Sequence, residues 1–252
     1  DFENSLIHAV ETNDLDIVDL VLKYNKKSSL VNKVLRSRTP LCIAVKNNNL
    51  PIVQRLLSLD NIDPNLRDQN NPNPLQIACD KNYIEICERL LQMEKVDPNI
   101  ENPYIPLHIS LIYKRWEIVE MLLEHPKIKI REDEDDLAII ISSKKIKLIK
   151  LYVDKGSTEA MVYYSNVVGE DKEEAIKYMK MAADNGNVKG MLTYGSVLES
   201  GDRNYKEAAQ YYKMASDKGS IEGSLSYALM LVNGKGVEVN KEEAAKYFKL
   251  AA

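Results

Sequence analysis

The chain has 252 residues, of which 44% are hydrophobic and 29% are charged; this composition is typical of globular proteins and allows one large or two ordinary domains. The formal net charge of −4 is evenly divided, with 22 Lys and Arg against 24 Asp and Glu in residues 1–155, and 12 against 14 in residues 156–252. Because neither half is basic, we expect no nucleic acid and no acidic membrane as a partner.

The first predicted elements are two short amphipathic helices within residues 1–35, followed by a basic stretch at residues 25–38. The same pattern then restarts three times. A fixed period in the low thirties indicates a stacked array of helical repeats. A degenerate fifth copy follows at residues 137–149. The first four copies, of which the earliest is weaker, are 34, 34 and 32 residues apart and begin at Ser5, Thr39, Asn73 and Ile105.

Local chemistry supports a helix-turn-helix unit in each copy. Thr39 is suited to cap a helix, and Pro40 at the first helical position loses no hydrogen bond. The turn between the two helices favours a residue that tolerates a left-handed backbone, which asparagine does. Asparagine occupies this place in the first three copies and lysine breaks the pattern in the last two: Asn13, Asn48, Asn82, Lys114 and Lys144.

The second copy carries Thr39-Pro40-Leu41 and Ile43-Ala44, followed by Ile52-Val53 and Leu56-Leu57, and the fourth copy carries Pro106-Leu107-His108. With these residues at a constant period, the copies resemble ankyrin repeats. The resemblance implies an ankyrin domain over residues 1–155, of about five repeats with the first and last degenerate. It also implies that His8 and His108, at the same repeat position, form structural hydrogen-bond bridges between neighbouring loops.

The composition changes in the second half of the chain. All nine prolines lie at or before Pro126, and all ten glycines lie at or after Gly156. A second period places the segments EEAIKYMKMAADNG and KEAAQYYKMASDKG so that they end 33 residues apart, at Gly186 and Gly219. They alternate with helices built from small residues. Tyrosine recurs at the repeat period, and we interpret most of these rings as packing residues.

The last copy of this second pattern carries Asn233-Gly234-Lys235-Gly236-Val237, Glu243-Ala244 and Tyr247-Phe248. It resembles the Sel-one-like repeats, relatives of the tetratricopeptide repeats. The resemblance implies a second domain over residues 156–252, of about three repeats with the last truncated. Together the two resemblances imply an all-α fold. We expect an α-solenoid of stacked helix-turn-helix repeats, an ankyrin array followed by a Sel-one-like superhelix, without a sheet apart from short finger hairpins.

Three features invite a catalytic or metal-binding interpretation, and each has a structural alternative. The segment Gly234-Lys235-Gly236 lacks the preceding strand and the Gly-Lys-Ser/Thr ending of a phosphate loop, so we interpret it as an inter-helix turn. The histidines and cysteines have neither zinc-site spacing nor an adjacent nucleophile. The acidic run at residues 132–136 favours a solvated helix start over a cation site. We therefore predict no catalytic residue, no metal and no cofactor.

The sequence also bears on compartment. No apolar run approaches the ~18 residues of a membrane span, and no signal peptide is visible, so we expect no membrane insertion. The chain begins with Asp1 rather than Met and stops inside an apolar segment at Ala252, which indicates a fragment whose flanks could carry a targeting signal or a further domain. The sparse cysteines Cys42, Cys79 and Cys87 are typical of buried, reduced thiols and predict a cytoplasmic protein.

Function is expected at the positions that stacking leaves free, which are the finger tips and the residues before each inter-helix turn. Ile112 and Tyr113 replace polar pairs at the matching sites of other copies, and exposed apolar and aromatic groups near arginine are typical interface anchors. The alternative is that a tilted fourth repeat buries them. The predicted protein-binding residues are Arg36, Arg38, Lys46, Asn47, Gln69, Asn70, Asp80, Lys81, Tyr104, Ile112 and Tyr113.

These observations predict a non-catalytic protein-interaction scaffold or adaptor, a monomer that binds other proteins through the concave faces of its repeats. Two alternatives stay open. In the first, the chain is the regulatory or targeting portion of a larger enzyme, which the apparent truncation at both ends favours. In the second, the chain is a pathogen effector or a protein-degradation adaptor, for which the only support is analogy with members of the two repeat families.

Overall fold

Helices alternate with short turns throughout the described part of the chain. The computed structural model describes residues 4–24, 30–35, 38–67, 71–101, 104–131, 134–169, 171–201 and 203–252. The chain divides into two compact units, residues 1–143 and 144–252. In the described ranges the regular structure is helical, and the expected finger hairpins are represented by one isolated antiparallel bridge between Leu35 and Arg38. The predicted all-α repeat fold is confirmed.

The first unit is built from pairs of inner and outer helices. The inner helices pack side by side in one row, and the outer helices pack in a second row behind them. Each pair buries its apolar face between the two rows, as Leu41, Ala44 and Val45 show for the second repeat. The helices are α1 (Ser5–Glu11), α2 (Leu15–Tyr24), α3 (Pro40–Lys46), α4 (Leu50–Leu57), α5 (Pro74–Lys81), α6 (Ile84–Leu91), α7 (Pro106–Ile112), α8 (Trp116–Glu124) and α9 (Glu134–Ser143).

Two of the inner helices, α3 and α5, start with side-chain caps that are local in sequence. The Thr39 hydroxyl accepts the N–H of Cys42 at 3.1 Å, and Pro40 occupies the first turn of α3, as predicted. At α5, Asn73 and Gln76 form a reciprocal capping box with two N···O distances of 2.8 Å. These bonds satisfy amide groups that a helix leaves unpaired in its first turn, so α3 and α5 each begin at a defined residue.

The turn between the two helices of a repeat is left-handed in all five copies. Its central residue has a positive φ: 61° at Asn13, 54° at Asn48, 59° at Asn82, 54° at Lys114 and 57° at Lys144. The two lysines therefore adopt the same backbone as the asparagines, although they break the sequence pattern. This conformation costs a side-chain-bearing residue about 1–2 kcal/mol, and the helices packed on either side of the turn maintain it.

Neighbouring repeats of the first unit are joined by asparagine side chains, which we call the asparagine ladder: Asn32, Asn65 and Asn99. Each amide donates to one backbone carbonyl of the next repeat and accepts one backbone N–H from it. For example, Asn65 donates to the carbonyl of Lys95 at 2.7 Å and accepts the N–H of Asp97 at 2.8 Å. The ladder fixes the register between adjacent repeats.

The bridge that the ankyrin resemblance implies for His8 is wrong. The His8 ring is exposed, and its Nδ1 contacts Oε2 of Glu11 in the same helix at 3.1 Å. In the third repeat, glutamine makes the bridge from the histidine position. The Gln76 amide donates to the carbonyls of Ile100 and Tyr104 at 3.1 and 2.7 Å. A residue with a suitably placed amide can therefore replace histidine in this role.

Asp136 is buried rather than solvated. The solvated helix start predicted for residues 132–136 is wrong at this residue, which is 0% exposed; Glu132 and Asp133 lie outside the described residues. Its Oδ1 lies 2.5 Å from Nδ1 of His108, so His108 does bridge to the next repeat. A carboxylate removed from water requires such a partner, because burying it without hydrogen bonds is costly.

In the second unit each helix packs against the next one along the chain. Glycine allows the closest approaches: a Cβ added to Gly190 would lie 2.8 Å from the Cβ of Ala182, and one added to Gly223 would lie equally close to the Cβ of Ala215. The helices are α10 (Ile146–Asp154), α11 (Thr158–Val167), α12 (Lys172–Asp184), α13 (Val188–Ser200), α14 (Tyr205–Asp217), α15 (Ile221–Asn233) and α16 (Lys241–Leu250).

Pairs of tyrosine rings recur in the second unit, each with a lysine beside it. Tyr164 and Tyr178 meet edge to face with centroids 5.1 Å apart, and the Lys150 Nζ lies 5.8 and 5.1 Å from the two centroids. Cation–π contacts of this kind contribute about 0.5–1 kcal/mol at exposed sites. Two further pairs have the same edge-to-face geometry and a lysine near a ring: Tyr194–Tyr211 with Lys180, and Tyr227–Tyr247 with Lys213.

Helix α10 lies in the second compact unit, whereas the repeat pattern places the domain boundary after it, at residue 155. The sequence at the end of α10 explains why this helix belongs with the second unit. Lysine, aspartate and glycine follow one another there at the same spacing as at the ends of α12 and α14. The three sets are Lys150, Asp154 and Gly156; Lys180, Asp184 and Gly186; and Lys213, Asp217 and Gly219. Lys150 therefore contributes to the tyrosine pair of α11 and α12 as Lys180 and Lys213 do to theirs.

The segment Gly234-Lys235-Gly236 is an inter-helix turn, as predicted. Gly234 is the left-handed C-cap of α15 with a φ of 67°. Gly236 has a φ of 71°, and a Cβ added there would lie 2.2 Å from the carbonyl carbon of Tyr205. Backbone meets backbone at that point, so only glycine fits.

All three cysteines are free and buried, which confirms their interpretation as core thiols. The Sγ atoms of Cys79 and Cys87 lie 4.0 Å apart, and the hydrogen bond between them, followed by burial, raises the pKa of Cys87. Burial also raises the pKa of the Cys42 thiol, against a smaller opposing effect of the hydrogen bonds from Thr39. Raised pKa values and burial both lower the amount of reactive thiolate.

The asparagine ladder predicts a stability difference between two asparagines. Asn65→Ala removes two inter-repeat hydrogen bonds, so the free energy of unfolding should fall by about 1–2 kcal/mol, at about 1 kcal/mol per bond. Asn47→Ala alters an exposed residue of the same unit and should change it by less than about 0.5 kcal/mol. Urea denaturation followed by circular dichroism measures both. Equal effects of the two substitutions would show that the ladder does not stabilise the stack.

The close backbone contact at Gly236 predicts that alanine destabilises the fold more there than at Gly219. Gly219→Ala meets only the positive-φ penalty of about 1–2 kcal/mol, because a Cβ there would have no neighbour within 4 Å. Gly236→Ala adds a clash with backbone and should cost about 1–3 kcal/mol more. Thermal unfolding should therefore show the lower midpoint for Gly236→Ala. Matching midpoints would mean that the close approach to Tyr205 is relieved at little cost.

Burial of the thiols predicts slow chemical modification. In the native chain, Ellman's reagent should react slowly with all three cysteines, Cys42 being the fastest because it is 8% exposed and the others are 0% exposed. In guanidinium chloride all three should react at once. Rapid reaction of Cys79 or Cys87 under native conditions would contradict the packing of α5 against α6.

Candidate protein-binding surface

A small cavity opens between α3 and α5 in the first unit. Its volume is about 240 Å³. The repeat register creates it, because Ile43 and Ile77 stand 34 residues apart at the same position of successive inner helices. We call this site the inner-face cavity, and its lining residues are Arg38, Thr39, Cys42, Ile43, Lys46, Asn71, Pro72, Ile77 and Lys81.

The floor of the inner-face cavity is largely apolar. Ile43 is buried, Ile77 is half-buried, and Pro72 comes from the loop that precedes α5. The Cys42 thiol is directed to the same loop, with its Sγ 3.8 Å from the carbonyl of Leu66. An apolar floor of this kind favours the burial of an apolar group from a ligand, at about 25 cal/mol for each Å² removed from water.

The rim of the inner-face cavity is cationic. An Arg38 guanidinium nitrogen lies 2.9 Å from a carboxylate oxygen of Glu11, and the Lys81 ammonium lies 2.8 Å from a carboxylate oxygen of Asp80. Both pairs are solvent-exposed and therefore weak. Lys46, which ends α3, has no salt bridge or hydrogen bond from its side chain within the described ranges. The cavity thus carries positive charge that a ligand carboxylate can reach.

Local charges raise the pKa of Lys81. Its hydrogen bond to Asp80 and the negative charge of that carboxylate raise the pKa of Lys81, and Tyr83 and Tyr113 add smaller effects. Helix α5 packs against α7, and Lys81 and Ile112 are the last residues of these two neighbouring helices. The rim and the exposed residues at the end of α7 therefore belong to one surface.

Three large side chains extend this surface beyond the cavity. Tyr104 is 51% exposed, Ile112 45% and Tyr113 54%, so the alternative in which a tilted fourth repeat buries Ile112 and Tyr113 is wrong. The Arg115 guanidinium lies 5.9 Å from the centroid of the Tyr113 ring, and the Tyr104 ring lies 5.0 Å from that of His108. Exposed aromatic and aliphatic side chains beside arginine are typical of interface anchors.

The predicted binding residues fall into three groups. Arg38, Lys46 and Lys81 line the inner-face cavity, with Asp80 paired to Lys81. Asn47 is the exposed C-cap of α3, and Tyr104, Ile112 and Tyr113 are exposed in the fourth repeat and the loop before it. The predictions for Arg36, Gln69 and Asn70 lie outside the described residues.

Sequence reasoning missed the cavity floor. Ile43 and Ile77 resemble ordinary core residues in the repeat pattern, and Pro72 lies in a polar loop. Their one available signal is that isoleucine recurs at the same position in three inner helices, at Ile43, Ile77 and Ile109.

The described ranges contain no group of three or more His, Cys, Asp and Glu side chains placed to hold a metal ion. None of their helices combines the length and the apolar character that crossing a membrane requires.

Solved structures to which the chain is similar include a Sel1 repeat protein from Oxalobacter formigenes. It is 16% identical to the chain, with a TM-score of 0.47, over 84% of this chain and 82% of that one. A second is c5321, a protective antigen present in uropathogenic Escherichia coli strains that displays an SLR fold. It is 14% identical, with a TM-score of 0.41, over 100% of this chain and 52% of that one.

Sequence models of two repeat families match the chain, whereas no curated protein is significantly similar to it. The family of ankyrin repeats (3 copies) matches residues 6–102 and 41–134. The Sel1 repeat family matches residues 160–187, 191–220 and 223–252. The chain therefore belongs to the ankyrin repeat family through its N-terminal part and carries Sel1 repeats in its C-terminal part.

Proposed function

We propose that the chain is a non-catalytic adaptor that binds partner proteins through the inner face of its ankyrin repeats. Ankyrin and Sel1 repeats are generally protein-interaction modules, which supports this class of function. The observation that carries the proposal is the inner-face cavity, whose apolar floor and cationic rim adjoin the exposed Ile112 and Tyr113.

The arrangement suits a protein ligand more than a small molecule. Small-molecule sites usually enclose about 300–1,000 Å³ and bury most of the ligand. The inner-face cavity is smaller, about 240 Å³. The anchors around it are spread over three repeats, from Lys46 on α3 to Tyr113 at the end of α7. A partner that contacts several repeats at once can use all of them.

The proposal also covers the oligomeric state and the compartment of the chain. We propose that the chain is a monomer. We also propose a reducing compartment such as the cytoplasm, which the three free, buried thiols support. In the second unit the paired tyrosines and their lysines contact each other, so we assign these residues to packing and not to partner binding.

The proposal predicts the loss of partners from one surface and not from another. In Ile112→Ser/Tyr113→Ser both substitutions remove exposed anchors, so captured partners should fall at least about tenfold, equivalent to about 1.4 kcal/mol. Quantitative mass spectrometry of proteins captured by the full chain measures the loss. Circular dichroism should show that the variant remains folded.

A matched control comes from an outer helix of the same unit. Leu20→Ser/Tyr24→Ser on α2 also removes one aliphatic and one tyrosine side chain, which are 56% and 75% exposed. This variant should retain the partners of the unmodified chain. If both double variants retain them, or if both lose them, the inner face is not the binding surface.

A further inference from the structure

The described lining of the inner-face cavity is positively charged, whereas the chain as a whole is negatively charged. The chain has a formal net charge of −4, yet the described residues that line the cavity include Arg38, Lys46 and Lys81 and no carboxylate. The neighbouring Glu11 and Asp80 pair with Arg38 and Lys81 in exposed salt bridges, which are worth less than about 1 kcal/mol each. A ligand carboxylate can therefore compete for these cations, and Lys46 has no salt bridge among the described residues.

The size of the cavity sets the size of the apolar group that enters it. An apolar cavity of about 150 Å³ accommodates benzene. The inner-face cavity, at about 240 Å³, is open on one side and has room for one large apolar side chain above Ile43 and Ile77.

The spacing of the cations sets the spacing of the ligand charges. Arg38 precedes the Thr39 cap of α3 and Lys46 ends that helix, eight residues further along. The six helical steps from Pro40 to Lys46 cover about 9 Å at 1.5 Å per residue, and the two non-helical steps from Arg38 to Pro40 add up to about 3.3 Å each, so the two backbone positions are about 9–16 Å apart. Residues i and i+4 of an extended peptide, which rises about 3.3 Å per residue, are about 13 Å apart and fall within this range. Residues i, i+2 and i+4 of an extended segment point to the same side.

From these observations we propose that the inner-face cavity binds an extended segment of a partner protein with the pattern acidic–x–apolar–x–acidic. The apolar side chain enters the cavity. One flanking carboxylate meets Arg38, and the other meets Lys46 and Lys81. This ligand class rests on the adaptor function proposed above and specifies the partner for it.

Charge supplies the selectivity of this arrangement. Carboxylates form charge-assisted hydrogen bonds with guanidinium and ammonium groups, whereas a basic residue in either flank would face like charge on the rim. Asparagine in the flanks keeps the shape and loses the charge. Because the pairs are exposed, their effect should weaken as salt is added.

The test uses immobilised peptides at high density, so that weak binding is detected through multivalency. Each has the sequence Gly-Ser-X-Ser-Leu-Ser-X-Ser-Gly with X as Asp, Asn or Lys, and a fourth peptide keeps Asp and replaces Leu by Ser. The full chain should bind the Asp peptide about tenfold more strongly than the Lys peptide, with Asn between them. The peptide without leucine should lose most of the binding.

Charge reversal of the rim gives the decisive comparison. Lys46→Glu/Lys81→Glu should invert the preference, so that the Lys peptide binds better than the Asp peptide. Lys129→Glu changes an exposed lysine away from the cavity and should leave the original preference unchanged. Equal binding of the Asp and Lys peptides, an unchanged preference in the double variant, or no binding of any peptide would overturn the acidic ligand class.

The two proposals fail in different ways. If the charge preference is absent but Ile112→Ser/Tyr113→Ser still loses its captured partners, the adaptor surface stands and the ligand class is wrong. If that variant retains its partners while the Asp peptide binds selectively, the cavity recognises acidic segments and the larger inner face is not used.

Discussion

Side-chain amides that reach from one repeat to the backbone of the next determine the geometry of the first unit. Asn32, Asn65 and Asn99 each form two such bonds, with distances of 2.7 to 2.9 Å. Each bond contributes only about 1 kcal/mol net. Their importance is positional, because a repeat contacts only its neighbours and an error in one register would displace all later repeats. The inner-face cavity exists only when α3 and α5 keep this register.

Because the register between repeats is fixed, residues one repeat period apart in the sequence lie next to each other on the surface. Ile43 and Ile77 come together because equivalent positions of successive repeats are adjacent, and Lys46 and Lys81 come together because each ends an inner helix. The two pairs contribute differently to binding. Apolar area removed from water supplies affinity in proportion to its extent, whereas exposed charges contribute little affinity and mainly select the partner and increase the association rate.

Local features were predictable from the sequence, and long-range ones were not. The cap at Thr39, the turn glycine at Gly234 and the repeat positions of the exposed Ile112 and Tyr113 follow from residue types within a few positions of each other. The asparagine ladder joins residues about thirty positions apart. The burial of Asp136 likewise depends on His108 of the preceding repeat. Such pairings leave no local pattern, so half of the candidate site, its rim, was predicted and its floor was not.

The same reasoning separates lysines that stabilise the fold from lysines that can bind a partner. Lys180 lies 5.2 Å from the centroid of the Tyr194 ring, and its hydrogen bond to the Tyr211 hydroxyl, at 3.2 Å, raises its pKa. Moving it to a ligand would break these contacts, so a partner would gain little net free energy from it. Lys46 has no such contacts among the described residues. A carboxylate that approaches it breaks no salt bridge between described residues, and the exposed pair of Lys81 and Asp80 beside it rearranges at low cost. The cation that costs least to recruit therefore lies above the apolar floor, which is why charge and apolar burial can act on the same ligand.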